Sequence, residues 1–126
     1  MSRFSEFFID LERSELFALE RFLERSGSLL TSKSLETSLT ALSSALKTMH
    51  KSVNDALKKI DKDAQINEVC VAMQLGEDQA AAAAGVFKKL TTTELDAMLE
   101  DQEASNEVSI ALWKILDVIE PISIRL

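Results

Sequence analysis

An all-α fold is predicted by three features of the 126-residue chain. It has a long apolar row at helical spacing, only three glycines and one proline, and 46% apolar residues against 28% charged. So few turn-formers do not suit a sheet-rich protein, and the apolar content lies well outside the disordered range. The expected architecture is a single domain over residues 1–126, a helical bundle of five to six helices with one long central amphipathic helix. A chain of this length removes roughly two-thirds of its unfolded surface from water, enough for one core.

The first element is read as a helix over residues 3–25, with Phe4, Phe7, Phe8, Leu11, Ala18, Leu19 and Phe22 on one face. Glu15 falls within that face and Phe17 falls among Arg13, Arg21 and Glu24. A break near Ser14 is favoured over an unbroken helix, because it moves Glu15 into a first turn, where a carboxylate is stabilised. Residues 26–34, rich in serine and glycine, read as a loop.

The central helix is expected at 34–62. Leu35, Leu39, Leu42, Leu46, Met49, Val53, Leu57 and Ile60 all lie on one of its sides. Lys58, Lys59 and Lys62 complement the negative end of its dipole. A helix at 64–75 is suggested by Ile66, Val69, Cys70 and Met73, ended by Gly76, which makes Cys70 a buried, inert thiol. A helix at 78–90 carries five consecutive alanines, a small-residue face that another helix approaches closely. Thr91 and Glu94 have capping-box spacing and open a helix at 92–104.

The last helix, 106–120, is apolar on most sides and is therefore either central or part of an interface. Pro121 is expected to end it. The tail 121–126 would then be extended, with Ile122, Ile124 and Leu126 alternating against Ser123 and Arg125. No internal repeat is visible.

The net charge is −7, divided as −2 over residues 1–25, +2 over 26–63 and −7 over 64–126. A chain this acidic lacks the basic surface that displaces counterions from phosphates, so neither nucleic acid nor an anionic membrane is an expected partner. One cysteine and one histidine supply no zinc pattern and no internal disulfide. No apolar run approaches a membrane span or a secretory signal, and a cytoplasmic location is expected. His50 is read as a boundary residue of the long helix.

No catalytic motif is present, and no cofactor is expected. The leading expectation is a small acidic, non-enzymatic interaction module, an adaptor, chaperone or inhibitor, that binds another protein or itself as a homodimer. The candidate contacts are Phe17, Trp113 and the tail residues Ile122, Ile124 and Leu126 for burial. Asp96, Glu100, Glu103 and Glu107, spaced as one stripe if residues 92–107 are a single helix, supply charge. The alternatives are a cation held by those carboxylates and an acidic mimic of nucleic acid.

Glu100, Glu103, Asp117 and Glu120 resemble the paired ExxE and ExxD elements of all-helical nucleotide pyrophosphohydrolases. That resemblance implies a magnesium-dependent enzyme acting on nucleotides. The second element here reads DxxE, with its acids exchanged, and no Lys or Arg cluster accompanies it.

Overall fold

Two stretches expected to be helical are strands. The computed structural model describes residues 4–26, 39–62 and 65–124, and the order of elements is β1 (Phe4–Glu12), α1 (Arg13–Glu24), α2 (Leu39–Asp61), β2 (Glu68–Gly76), α3 (Glu77–Lys89), α4 (Thr92–Leu99) and α5 (Gln102–Ile124). The chain is mostly helical, with β1 and β2 joined as a two-stranded antiparallel sheet. Their register sets Phe4 opposite Gly76 and Glu12 opposite Glu68.

The strand geometry follows from parity. Phe7, Ile9 and Leu11 are buried while Glu6, Phe8, Asp10 and Glu12 are exposed, and in β2 Val71, Met73 and Leu75 are buried while Cys70, Ala72 and Gln74 are exposed. This is the alternation of a half-buried strand. The helix expected over residues 3–25 is thus a strand followed by a helix, and the helix expected at 64–75 is a strand. Phe4, Phe7, Phe8 and Leu11 fit a helical stripe equally well, and pairing with β2 decides between the two periods. Cys70 is consequently exposed rather than buried.

Helix α1 begins directly at the end of β1, with Glu12 as its N-cap and the Glu12 N–H donating to Glu15 Oε1 at 2.8 Å. Glu15 therefore occupies a first turn, as expected, although the cap lies two residues before Ser14. Its buried carboxylate also accepts from Lys114 Nζ of α5 at 2.7 Å, which supplies the charge partner that burial requires. The Arg13 guanidinium donates to the carbonyls of Ile66 and Ile60, tying α1 to the last turn of α2 and to the approach of β2. Arg21 and Arg25 do the same for the carbonyls of Met98 and Leu99 at the end of α4.

The row expected on the central helix is present: Leu42, Leu46, Met49, Val53 and Ile60 are buried and Leu57 is partly so. The side chains of Leu35 and Leu39 lie outside the described residues. Helix α3 packs between α2 and α5. Ala80, Ala82, Ala83 and Ala84 are buried there, as a small-residue face requires. Thr91 and Glu94 form the expected capping box, with the Glu94 N–H donating to Thr91 Oγ1 at 3.1 Å. Phe22 of α1 and Phe87 of α3 meet edge to face at 6.1 Å.

The two halves of the chain repeat one plan, which no repeat in the sequence announces. Each runs from a nine-residue strand directly into a helix of 12 or 13 residues, and later into a helix of 23 residues. Buried Phe7, Ile9, Leu11, Leu16, Ala18, Leu19, Phe22 and Leu23 correspond to buried Val71, Met73, Leu75, Ala80, Ala82, Ala83, Val86 and Phe87, at one constant offset. In the long helices Leu42, Ala45, Leu46, Met49 and Val53 correspond likewise to Val108, Ala111, Leu112, Ile115 and Ile119. Both third helical residues close back on their caps, since the Gly76 N–H donates to Gln79 Oε1 at 2.8 Å as the Glu12 N–H does to Glu15. Each also reaches the long helix of the opposite half, Glu15 to Lys114 and Gln79 to Ser44. The approximate two-fold axis passes between Phe8 and Ala72, the paired midpoints of the strands.

Strand parity predicts that Ile9→Ala lowers stability by about 2–5 kcal/mol, while Phe8→Asp, one residue away, shifts the melting temperature little. Thermal unfolding followed by circular dichroism checks both. A helix over this stretch would not separate neighbouring residues so sharply.

Candidate interaction surface

Helix α5 is about 34 Å long at 1.5 Å per residue. It packs against α1, α3, α4 and β1, so it is central in the fold as its apolar sequence requires. It nevertheless keeps an outward stripe of Glu103, Asn106, Ile110, Trp113 and Asp117. Trp113 is 75% exposed and Ile110 47% exposed. One groove of about 450 Å³ lies between Trp113 and the ends of α3 and α4, floored by Phe87, Leu90, Leu95, Leu112 and Leu116 and rimmed by Asp117 and Glu120. A second, shallower one runs along the other side of Trp113 past Ile110 and Lys114. Lys88 pairs with Glu120 at the rim of the first.

Phe17, also 47% exposed, stands elsewhere on α1. Its groove is shared with Asn54, Leu57, Lys58 and Asp61 of α2, and has no residue in common with those flanking Trp113. The two aromatic candidates therefore do not form one patch. Phe8, 60% exposed on β1, and Ile110 were not among the residues expected at a contact surface. Their signals were the alternation within Glu6–Glu12 and the position of Ile110 three residues before Trp113.

The carboxylate stripe is divided between two helices. Glu100 adopts the left-handed conformation, φ 55°, as the C-cap of α4, and α5 starts afresh at Gln102. The single helix expected over residues 92–104 is thus α4 plus the first turn of α5, and the helix expected at 106–120 is the interior of α5. Asp96 is half-buried on α4, with its Oδ1 buried and without a hydrogen-bond partner among the described residues, while Glu100 and Glu103 are exposed and Glu107 is half-buried on α5. Asp101 serves the junction. Its Oδ1 accepts from the Glu103 N–H at 3.1 Å and the Ala104 N–H at 3.2 Å, and its Oδ2 meets Arg21 Nη1 at 3.4 Å. The bond from the Ala104 N–H, with those from Arg21 and Glu103, holds the Asp101 carboxyl below its ordinary value of 3.8.

The paired acids of the pyrophosphohydrolase resemblance do not converge. Glu103 and Asp117 lie on the same helix fourteen residues apart, about 21 Å along its axis. Among the described residues no group of three or more His, Cys, Asp and Glu side chains is arranged to hold a metal ion. His50 lies 3.2 Å, Nε2 to Oε1, from Glu20 of α1, a half-buried contact at the edge of the core.

The extended tail expected over residues 121–126 is helical as far as Ile124. Pro121 removes only its own donor, in the last turns of a helix held by the burial of Ile115 and Ile119. The side chains of Ile122 and Ile124, and all of Leu126, lie outside the described residues. No helix among those residues is long and apolar enough to cross a membrane.

Set against protein-family models, curated proteins and solved structures, the chain matches none.

Because the folded-state value of Asp101 is lowered, its stabilising contribution is present above the unfolded value and disappears as pH falls through the folded one. Asp101→Asn is therefore expected to lower the melting temperature at pH 7 and to have a smaller effect at pH 3, which a pH series of thermal melts will show.

Proposed function

We propose that the protein is a non-enzymatic interaction module that engages another protein through the outward stripe of α5. The observation that carries this reading is the exposure of Trp113 above an apolar groove, on a helix whose opposite side is the centre of the core. Exposed Trp is costly to leave in water and is the residue type most enriched among those that dominate binding energy. The comparison between the two halves strengthens the reading. At the positions corresponding to Ile110 and Trp113, helix α2 carries Ser44 and Lys47, so nothing in the shared plan needs large apolar residues there.

Charge supports the same surface. Residues 64–126 hold a net −7, and Asp117 and Glu120 flank the groove. Such acids accelerate encounter with a basic partner and discriminate against acidic ones. The divided carboxylates supply this field without converging on a substrate.

Trp113 is the only tryptophan, so its fluorescence reports the site directly. With a partner isolated by affinity purification, burial should shift its emission to shorter wavelength. Ile110→Ser should weaken binding tenfold or more, about 1.4 kcal/mol. Unchanged emission in the complex, or undiminished affinity of the variant, would contradict the assignment.

A further inference from the structure

The two edges of the sheet are treated differently. The Arg13 N–H donates to the Asn67 carbonyl at 2.8 Å, which continues the register and identifies Phe7–Met73, Ile9–Val71 and Leu11–Val69 as the hydrogen-bonded pairs. The intervening residues therefore turn their N–H and C=O groups outward. On β1 these are Glu6, Phe8, Asp10 and Glu12, and on β2 they are Glu68, Cys70, Ala72 and Gln74.

The β1 edge is protected. Lys114 Nζ donates to the Asp10 carbonyl at 3.3 Å, the Glu12 N–H is taken by Glu15, and the exposed side chains include three carboxylates. Charges of this kind are how edge strands resist pairing with other chains. The β2 edge has none of these devices along its middle. Thr48 occupies the place in α2 that Lys114 occupies in α5, and no hydrogen bond among the described residues joins it to the strand. Among the described residues, none hydrogen-bonds the outward backbone groups of Cys70, Ala72 and Gln74, although α2 packs against β2. All three side chains are exposed and uncharged, and an open groove of about 450 Å³ lies between Ala72 and Gln74 and the α2 residues Thr48, Lys51, Ser52 and Asp55, with Glu6 of β1 also lining it.

We propose that the occupant of this edge is a second copy of the chain, the two β2 strands pairing antiparallel about Ala72 to give a four-stranded sheet. In that register Ala72 faces Ala72, and Cys70 of each copy faces Gln74 of the other, so the outward groups of all three residues are satisfied. Glu68 faces Gly76, and no like charges meet. The same operation on β1 sets Glu6 against Asp10 twice, which is repulsive. The β2 edge is thus self-complementary where the β1 edge is self-excluding. A two-fold pairing also closes, leaving only the protected β1 edges at the rims of the sheet.

The test is the mass in solution of the wild-type chain and of Ala72→Pro, by size-exclusion chromatography with light scattering over a range of concentrations. Because the Ala72 N–H points away from β1, proline there spares the internal ladder and deletes only the outward donor. Wild type should run at twice the 14.0 kDa chain mass. Ala72→Pro should run at the chain mass with its circular dichroism unchanged. Cys70→Lys with Gln74→Lys, which meets Asp10 and Glu6 within the chain but sets lysine against lysine across the two copies, should do the same.

Register is tested by Gln74→Cys, which should form a disulfide-linked dimer with oxidised glutathione as electron acceptor. The same variant lacking Cys70 should not. A wild-type chain that stays monomeric, including one that binds a foreign extended peptide at this edge, overturns the proposal. So does a dimer that survives both edge variants, or crosslinking that does not need Cys70.

Discussion

The antiparallel pairing of β1 with β2 is the constraint on which the remaining geometry depends. Two short strands alone are marginal in water. Here each passes without a linker into a helix, so the end of the strand fixes where the helix starts. With the strand midpoints paired, the two short helices are related by the same approximate two-fold axis, and each long helix packs against both of them. Glu15 and Gln79 hold the junctions, joining a strand end, a helix start and the opposite long helix. The sheet is small, yet it connects segments more than fifty residues apart along the chain.

The approximate symmetry separates what the fold needs from what it does not. Buried positions correspond closely between halves, while the exposed large apolar residues do not. Phe8 corresponds to Ala72, Phe17 to Ala81, Ile110 to Ser44 and Trp113 to Lys47. In each pair one half manages with a small or polar side chain at the same place in the plan. Core packing therefore does not account for the larger partner. The edges differ in the same way, Lys114 and three acids on one side against Thr48, uncharged Cys70, Ala72 and Gln74, and a single acid, Glu68, on the other.

Much of the helical structure was legible in the residues because its causes are local. The row from Leu42 to Ile60, the alanine face of α3, the Thr91–Glu94 box and the first-turn position of Glu15 all follow from spacing within one element. The strands were not legible, because FSEFFIDLE satisfies both periods and its partner lies far along the chain. EVCVAMQLG alternates strictly between Val69 and Leu75, which was the available signal, but its apolar residues also fit helical steps. The carboxylate stripe failed at Glu100, whose left-handed conformation is unusual for a residue with a side chain and leaves no mark in composition. Trp113 was singled out from the excess of apolar residues on α5, but which side of that helix faces out depends on the packing of α1 and α3, and spacing alone does not determine it.

Backbone amide hydrogen exchange, resolved by residue, tests the central pairing most directly. The account predicts alternating protection along β1. The amides of Phe7, Ile9 and Leu11, bonded across to β2, should exchange only with global unfolding, and those of Glu6, Phe8 and Asp10 should exchange far faster. Uniform protection through residues 6–11, as a helix would give, would contradict it.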